Sequence, residues 1–375
     1  MTKKITTFLV ALLALALIAA ACSDDDDNAN ETTTTAATVA TTAATVATTV
    51  QEPPPAPAST TSRLDAVRER GRVICGVRDA LAGFAVIDDS GNYSGFDIEF
   101  CRVVAAGVLG DSSAVEFRSL ATADRFTALQ SGEVDVLIRN TTWTATRDGQ
   151  EGANFLFTTL YDGQGFLVPA NSGIRSLEDL DGATICVAQG TTTEKNLSTA
   201  FRDRGINFTP SLFADNTALQ SSYASGQCQS FTGDASTLAT YKFTSERDGG
   251  PEQFVIPEVI SKEPLGPVVA DGDTEWAQAV NWSIMATVQA WEFGLDSSNI
   301  QNYTGDDSNI LNFLGQDNFN PQLGLSPDFA INVISQVGNY KEIYDRTLEP
   351  LGLPMEGSVN RLWTDGGLLY TPPYR

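Results

Sequence analysis

"EVDVLIRNTTWTATRD", residues 133–148, holds the reading that decides the fold. Val134-Asp135-Val136-Leu137-Ile138 is a mainly apolar run of strand length that follows Ser131-Gly132, and it reads as a buried strand. Residues 140–148 behind it hold four threonines, one tryptophan and one arginine. A connecting turn needs Gly, Pro, Asn or Asp, not a cluster of hydroxyls with a cation behind it. A second stretch shares this grammar. "QCQSFTGD", residues 227–234, also follows a Ser-Gly pair and also ends on a polar residue, Asp234, where the first strand ends on Asn140.

Outward from these two strands the pattern continues. Val73–Val77 reads as a strand, Asp88–Asn92 as a hairpin turn, Phe96–Leu109 as a helix stopped by Gly110, and Ala123–Gln130 as a further helix. In the second half, Ala183–Val187 reads as a strand and Glu194–Arg204 and Ala218–Ala224 as helices. Such alternation predicts an α/β protein with mostly parallel sheets covered by helices on both faces. In open α/β sheets ligands bind at the carboxyl ends of strands, which is where Asn140 and Asp234 fall.

Residues 62–375 exceed what one hydrophobic core usually serves, so two lobes are expected. The first takes residues 62–162, the second 163–262, and residues 263–375 complete the first with helices near Glu275–Phe293 and Pro327–Val337. The chain crosses between lobes near the glycine-rich 161–165 and returns near 261–267. A ligand cleft between the lobes follows.

The amino terminus sets the compartment. Lys3 and Lys4 precede an apolar stretch from Phe8 to Ala21, which is shorter than the roughly 20 residues a spanning helix needs. Residues 1–21 therefore read as a secretory signal peptide. Cys22 follows Ala19-Ala20-Ala21, which resembles a bacterial lipobox, with Ala19 where that pattern prefers Leu. The resemblance implies cleavage before Cys22 and lipid on its thiol; an ordinary signal cut leaving a free thiol is the competing reading. Residues 22–61 are Asp-, Thr-, Ala- and Pro-rich with few bulky apolar side chains, and they read as a disordered tether.

Charge and residue counts exclude several functions. The net charge of −24 lacks the basic footprint that nucleic acid requires. Any anion site must be local. The chain has no histidine, which removes Ser-His-Asp and Cys-His catalysis and the commonest metal ligand. No cofactor or metal is expected. Beyond Cys22 four cysteines remain, and an even number in an exported protein suggests two disulfides. Of the three connectivities, Cys75–Cys101 and Cys186–Cys228 keep each bridge within one lobe. Buried free thiols are the alternative.

Several segments, taken in order, resemble the general L-amino-acid-binding proteins of ABC importers, the polar amino-acid branch of the solute-binding proteins. They are "GFDIEFCR", "RFTALQSGEVDVLIRNTTWT", "YDGQGFLVP", "LDGATICVAQGTTTE", "ISKEPLGPVV" and "LWTDGGLLYTPP". The resemblance runs from Leu64 to the carboxyl terminus. It implies a type II periplasmic-binding fold that closes on a free amino acid. It places the carboxylate-binding arginine at Arg147, with Thr142 and Thr144 as hydroxyl donors, and the acid for the α-ammonium at Asp234. It also implies a Gly190–Thr193 loop that opens a helix, with Gly190 and Thr192 at the ligand, and side-chain pocket residues at Leu81 and Phe84.

The chemistry of a zwitterion fits that assignment. Enclosing it strips water from both charges, so each needs an opposite charge. A guanidinium matches a carboxylate with two parallel N–H groups. Free N–H groups at a helix start add to this, and Asn140 offers its backbone carbonyl. The residues alone leave other readings open. Arg147 could pair with Asp148, and Asp234 could cap the helix that follows it. Arg139 reads as a structural ion pair and Trp143 as packing beside the cleft.

The expected protein is a monomeric, lipid-anchored subunit outside the cytoplasmic membrane that meets an ABC permease. A cleft enzyme of dehydratase type is the alternative, and it would need a general acid or base other than histidine. A receptor's sensor domain is a third possibility.

Overall fold

The computed structural model describes residues 62–316 and 320–375. The signal peptide, the lipidated Cys22 and the tether expected over residues 1–61 lie outside the described residues. Ser62 opens the described chain as a helix cap: its Oγ accepts the Leu64 N–H at 3.2 Å, and the helix Arg63–Arg70 follows.

Two five-stranded sheets form the framework. In the first, Val73–Val77 is central among parallel partners, with Val115–Ser119 on one side and Val136–Leu137 on the other. Val268–Ala270 and Ala153–Phe155 then extend the sheet antiparallel. The second sheet repeats this plan. Ala183–Ala188 lies between Phe208–Phe213 and Ser230–Asp234, all parallel, and Gln164–Pro169 and Gln253–Ile256 add antiparallel strands. Each sheet is thus mixed, with four strands running one way and one, Val268–Ala270 or Gln164–Pro169, against them. The added strands lie in the stretches that follow or approach a crossing between lobes, and the one that follows each crossing runs against the βαβ direction.

Both faces of each sheet are covered. Leu120, Leu129, Leu137 and Phe155 pack on one face of the first sheet, while Val73, Cys75, Phe100 and Val104 join the large cluster on the other. The helix Phe96–Leu109 carries that face and stops at Gly110, whose φ of 76° suits glycine. In the second sheet, Ile185, Val187 and Phe201 pack on one side, and Cys186, Leu219 and Phe231 on the other. Disulfide Cys75–Cys101 ties one central strand to the helix Phe96–Leu109, and Cys186–Cys228 ties the other to the turn that leads into Ser230–Asp234.

The expected strand at Val134–Ile138 pairs only over Val136–Leu137. Its Asp135 is buried, and its carboxylate takes the Ile74 N–H at 2.7 Å and ion pairs from Arg63 and Arg70. Two short antiparallel strands, Leu160–Asp162 and Glu263–Leu265, connect the lobes, with Glu263 opposite Asp162. A buried hinge of only two strands lets the lobes move as bodies while keeping their register.

Candidate functional site

The site forms where the strand ends of the two sheets face one another. Lobe 1 contributes Asn140 and Thr142 from the segment after Val136–Leu137, and Arg147 from the helix Ala145–Gln150. Lobe 2 contributes Asp234 from the end of Ser230–Asp234, and Thr191, Thr192 and Thr193 from the start of the helix Thr192–Arg204. These residues line one cavity enclosing about 460 Å³, its mouth included.

Arg147 is buried, and its Nη1 donates to the Thr142 carbonyl at 2.8 Å. It forms no ion pair with Asp148 among the described residues. Thr144 caps its helix, accepting the Arg147 N–H at 3.2 Å. Thr144 thus positions Arg147 and does not line the cavity, unlike the expectation of a ligand hydroxyl. Thr142 does line it, with its Oγ1 3.3 Å from Thr192 Oγ1 across the cleft.

Asp234 stands at the cap position of the helix Ala235–Arg247, yet its side chain makes no capping hydrogen bond. Its Oδ2 accepts instead from Asn140 Nδ2 at 3.0 Å, across the lobes. Burial, reinforced by Asp162 and Glu263, pushes Asp234 up to about 8, against the pull of Arg78 and the Asn140 amide. A buried carboxyl in that state holds its proton at neutral pH, and a cation placed beside it favours the ionised form. The Asn140 side chain is a bridge, because its Oδ1 also accepts from Arg78 Nε at 2.7 Å.

The Gly190 loop differs from expectation in one respect. The Gly190 N–H is taken by Glu194 Oε2 at 2.7 Å, and Gly190 lines a neighbouring cavity instead. The free donors belong to the first helical turn at Thr192 and Thr193, which have no intrahelical partner. Thr192 also donates to Glu263 Oε2 at 2.8 Å, and Asn196 Nδ2 to Glu263 Oε1 at 2.7 Å. The hinge strand thereby fixes where that helix starts.

Leu81 and Phe84 do not line the cavity. Both are fully buried in the lobe 1 core, where Phe84 meets Phe96 edge-on at 6.2 Å. Trp143 stacks on Phe155 at 6.0 Å and stays half-exposed beside the cleft. Arg139 forms hydrogen bonds rather than an ion pair: Nε donates to the Leu120 carbonyl at 2.8 Å and Nη2 to Thr122 Oγ1 at 3.1 Å.

Among the lining residues that sequence reasoning missed are Arg78, Arg125 and Asn216. Arg125 is 3% exposed, and its Nε has no hydrogen-bond partner. Its guanidinium and that of Arg147 both lie over the Phe126 ring, at 5.0 and 5.7 Å. Burial first, then Arg147, depresses its pKa well below the arginine range. With Arg78, the wall carries three guanidiniums against one carboxylate, Asp234. In a chain of net charge −24 this is a local concentration of positive charge.

Two α/β lobes on paired crossing strands, closed around a cavity with opposed charges, define a solute-binding protein of the type II periplasmic-binding fold. The chain belongs to the bacterial extracellular solute-binding proteins, family 3, whose model matches residues 73–293. It is 43% identical over 322 residues to the glutamate/glutamine/aspartate/asparagine-binding protein BztA of Rhodobacter capsulatus, covering 85% of this chain and 95% of that one. It is 42% identical over 323 residues to the general L-amino acid-binding periplasmic protein AapJ of Rhizobium johnstonii, covering 85% and 94%. A solved periplasmic binding protein from Brucella ovis with glutathione bound superposes with a TM-score of 0.80 at 40% identity, over 84% of this chain and 100% of that one.

Proposed function

We propose that this protein captures free L-amino acids outside the cytoplasm and delivers them to the permease of an ABC importer. The observation that carries the reading is that Arg147 in lobe 1 and Asp234 in lobe 2 line one cavity. An α-carboxylate on Arg147 and an α-ammonium on Asp234 neutralise both lobes' charges at once. A ligand that touches both lobes favours the closed state, and lobe closure is the signal a permease can read. BztA and AapJ, named for amino-acid binding, support this ligand class, and BztA points to glutamate, aspartate and their amides.

In this reading Thr142, Thr192 and the first-turn N–H groups of the helix Thr192–Arg204 complete the shell around the carboxylate. The protein binds without chemistry, as a monomer, and Cys22 carries the lipid that holds it at the outer face of the membrane. Arg147→Ala and Asp234→Ala are expected to abolish thermal stabilisation by amino acids while the folded circular dichroism persists. Unchanged affinity in both variants, by titration calorimetry, would overturn the site.

A further inference from the structure

The two hinge strands pair as a ribbon, with Asp162 opposite Glu263, Tyr161 opposite Pro264 and Leu160 opposite Leu265. In an antiparallel pair, opposed residues alternate between positions that bond each other and positions whose backbone groups point outward. Tyr161 and Pro264 point outward, and lobe 1 holds both. The Asn360 amide is buried and clasps Tyr161: its Oδ1 accepts the Tyr161 N–H at 2.7 Å, and its Nδ2 donates to the Tyr161 carbonyl at 2.9 Å. On the return strand the Pro264 carbonyl accepts the Trp143 N–H at 2.9 Å, and proline has no N–H to place.

One residue further along each strand the partners change. The Asp162 carboxylate accepts the Ser236 N–H at 3.3 Å, and the Gly163 carbonyl accepts the Ala235 N–H at 2.7 Å, both from lobe 2. Glu263 takes Thr192 and Asn196, also from lobe 2. Both strands therefore pass from one lobe's hydrogen bonds to the other's within a single step, Tyr161–Asp162 going out and Glu263–Pro264 coming back. The segment that carries Asn360 is itself fixed to lobe 1. Leu362 and Leu369 are buried in the lobe 1 core, and Thr371 Oγ1 donates to Gln289 Oε1 of the helix Thr274–Glu292 at 2.9 Å. Asn360 lies beyond residues 73–293, which the family model matches.

We infer that Asn360 is a positioning residue for lobe closure, which holds Tyr161 to lobe 1 and so confines the pivot to those two steps. The inference rests on closure around a free amino acid, as proposed above. Asn360 does not line the ligand cavity and acts through the hinge alone. Without the clasp, two backbone groups of Tyr161 lose their partners and the outgoing strand can bend over several residues. The empty protein then spreads over more lobe arrangements, fewer of which can close. Apparent affinity falls by that fraction, whatever side chain the ligand carries.

The test is titration calorimetry of L-glutamate, L-glutamine and L-asparagine on Asn360→Ala and Asn360→Asp, with X-ray scattering in solution. Asn360→Ala removes the clasp and is expected to weaken every amino acid that binds by one common factor of at least about three. Asn360→Asp keeps an acceptor for the Tyr161 N–H and loses the donor to its carbonyl, so it is expected to fall between Asn360→Ala and the unaltered protein. The empty Asn360→Ala protein is expected to have a larger radius of gyration than the unaltered one, and the same radius once saturated with ligand. A lower melting temperature with unchanged affinity would make Asn360 merely structural, and a loss confined to one ligand would make it a ligand contact; either result overturns the inference. Where Asn360→Ala does not fold, Asn360→Asp decides by the same comparison. Failure of all twenty amino acids to bind the unaltered protein overturns the amino-acid reading instead. Scattering then still tests the hinge, because equal radii for the empty proteins overturn the role of Asn360.

Discussion

Asn140 and Asp234 meet across the cleft, with Nδ2 of one 3.0 Å from Oδ2 of the other. The same amide accepts from Arg78 Nε, so one side chain ties a lobe 1 cation to a lobe 2 carboxylate. Its backbone N–H donates to Asp97 Oδ2 at 2.8 Å. Asn140 is also the one non-glycine among the described residues with a positive φ, 35°. Asparagine tolerates that region better than other side chains do, so the sequence supplies the bridge and the bend in one residue.

Asn140→Gly keeps the bend and loses the bridge. Amino-acid affinity is expected to fall about tenfold, the worth of hydrogen bonds to charged groups. Asn140→Ala loses both, so its melting temperature is expected below that of the glycine variant, the reverse of the usual order. Thermal melts of the two variants, paired with calorimetry, read the two effects separately.

Arg125 carries a cost of burial that Asp234 and Glu151 offset in part. Its buried guanidinium has the Phe126 face and the like charge of Arg147 for company, and its Nε is unpartnered. Arg125→Gln is expected to stabilise the empty protein by about 1 kcal/mol while weakening amino-acid binding at least about tenfold, a trade of function for stability. Chemical denaturation without ligand checks the first half and calorimetry the second. A destabilised variant that binds normally would show Arg125 to be structural.

Asn140 and Asp234 were legible as polar positions that close strand runs at the side of the sheet where ligands bind, whereas Arg147, on the following helix Ala145–Gln150, was singled out by the family resemblance. Arg78 also follows a strand, Val73–Val77, so the same rule reaches it. Arg125 had no such signal: "ADRF" reads as an ordinary solvated helix start, and only the fold brings it over Phe126 beside Arg147. Leu81 and Phe84 show a converse limit, since an apolar pattern cannot separate a pocket wall from a core. The direction of Gln164–Pro169 and Val268–Ala270 was illegible for a different reason. A strand's sequence records which faces are buried, not which way its neighbour runs.

The disulfides act within lobes, so their loss should loosen each lobe separately. Cys75–Cys101 spans a separation of 26 residues and Cys186–Cys228 one of 42. Chain-entropy reasoning assigns about 3–4 kcal/mol to each. Reduction or Cys→Ala pairs are expected to lower the melting temperature in either lobe. Removal of Cys75–Cys101 should leave hydrogen exchange in the second sheet unchanged, which exchange mass spectrometry can follow.

Proton linkage gives the sharpest check on Asp234. In the empty protein burial holds Asp234 near 8, Asp97 near 7 and Asp162 near 6, against about 3.9 for an unfolded aspartate. A raised folded pKa means stability is fully present below the unfolded value and is lost as pH climbs through the folded value. The empty protein is therefore expected to lose stability between about pH 4 and 8. A bound ammonium replaces the proton on Asp234 and removes its share of that loss. Ligand-induced stabilisation should then widen from pH 5 to pH 8, and affinity should fall on acidification, approaching about tenfold per pH unit well below the Asp234 value. Calorimetry at pH 7 in buffers of different ionisation enthalpy is expected to report release of close to one proton per amino acid bound. Binding with no proton exchange would mean that Asp234 is already ionised in the empty protein, with Arg78 and the Asn140 amide outweighing its burial.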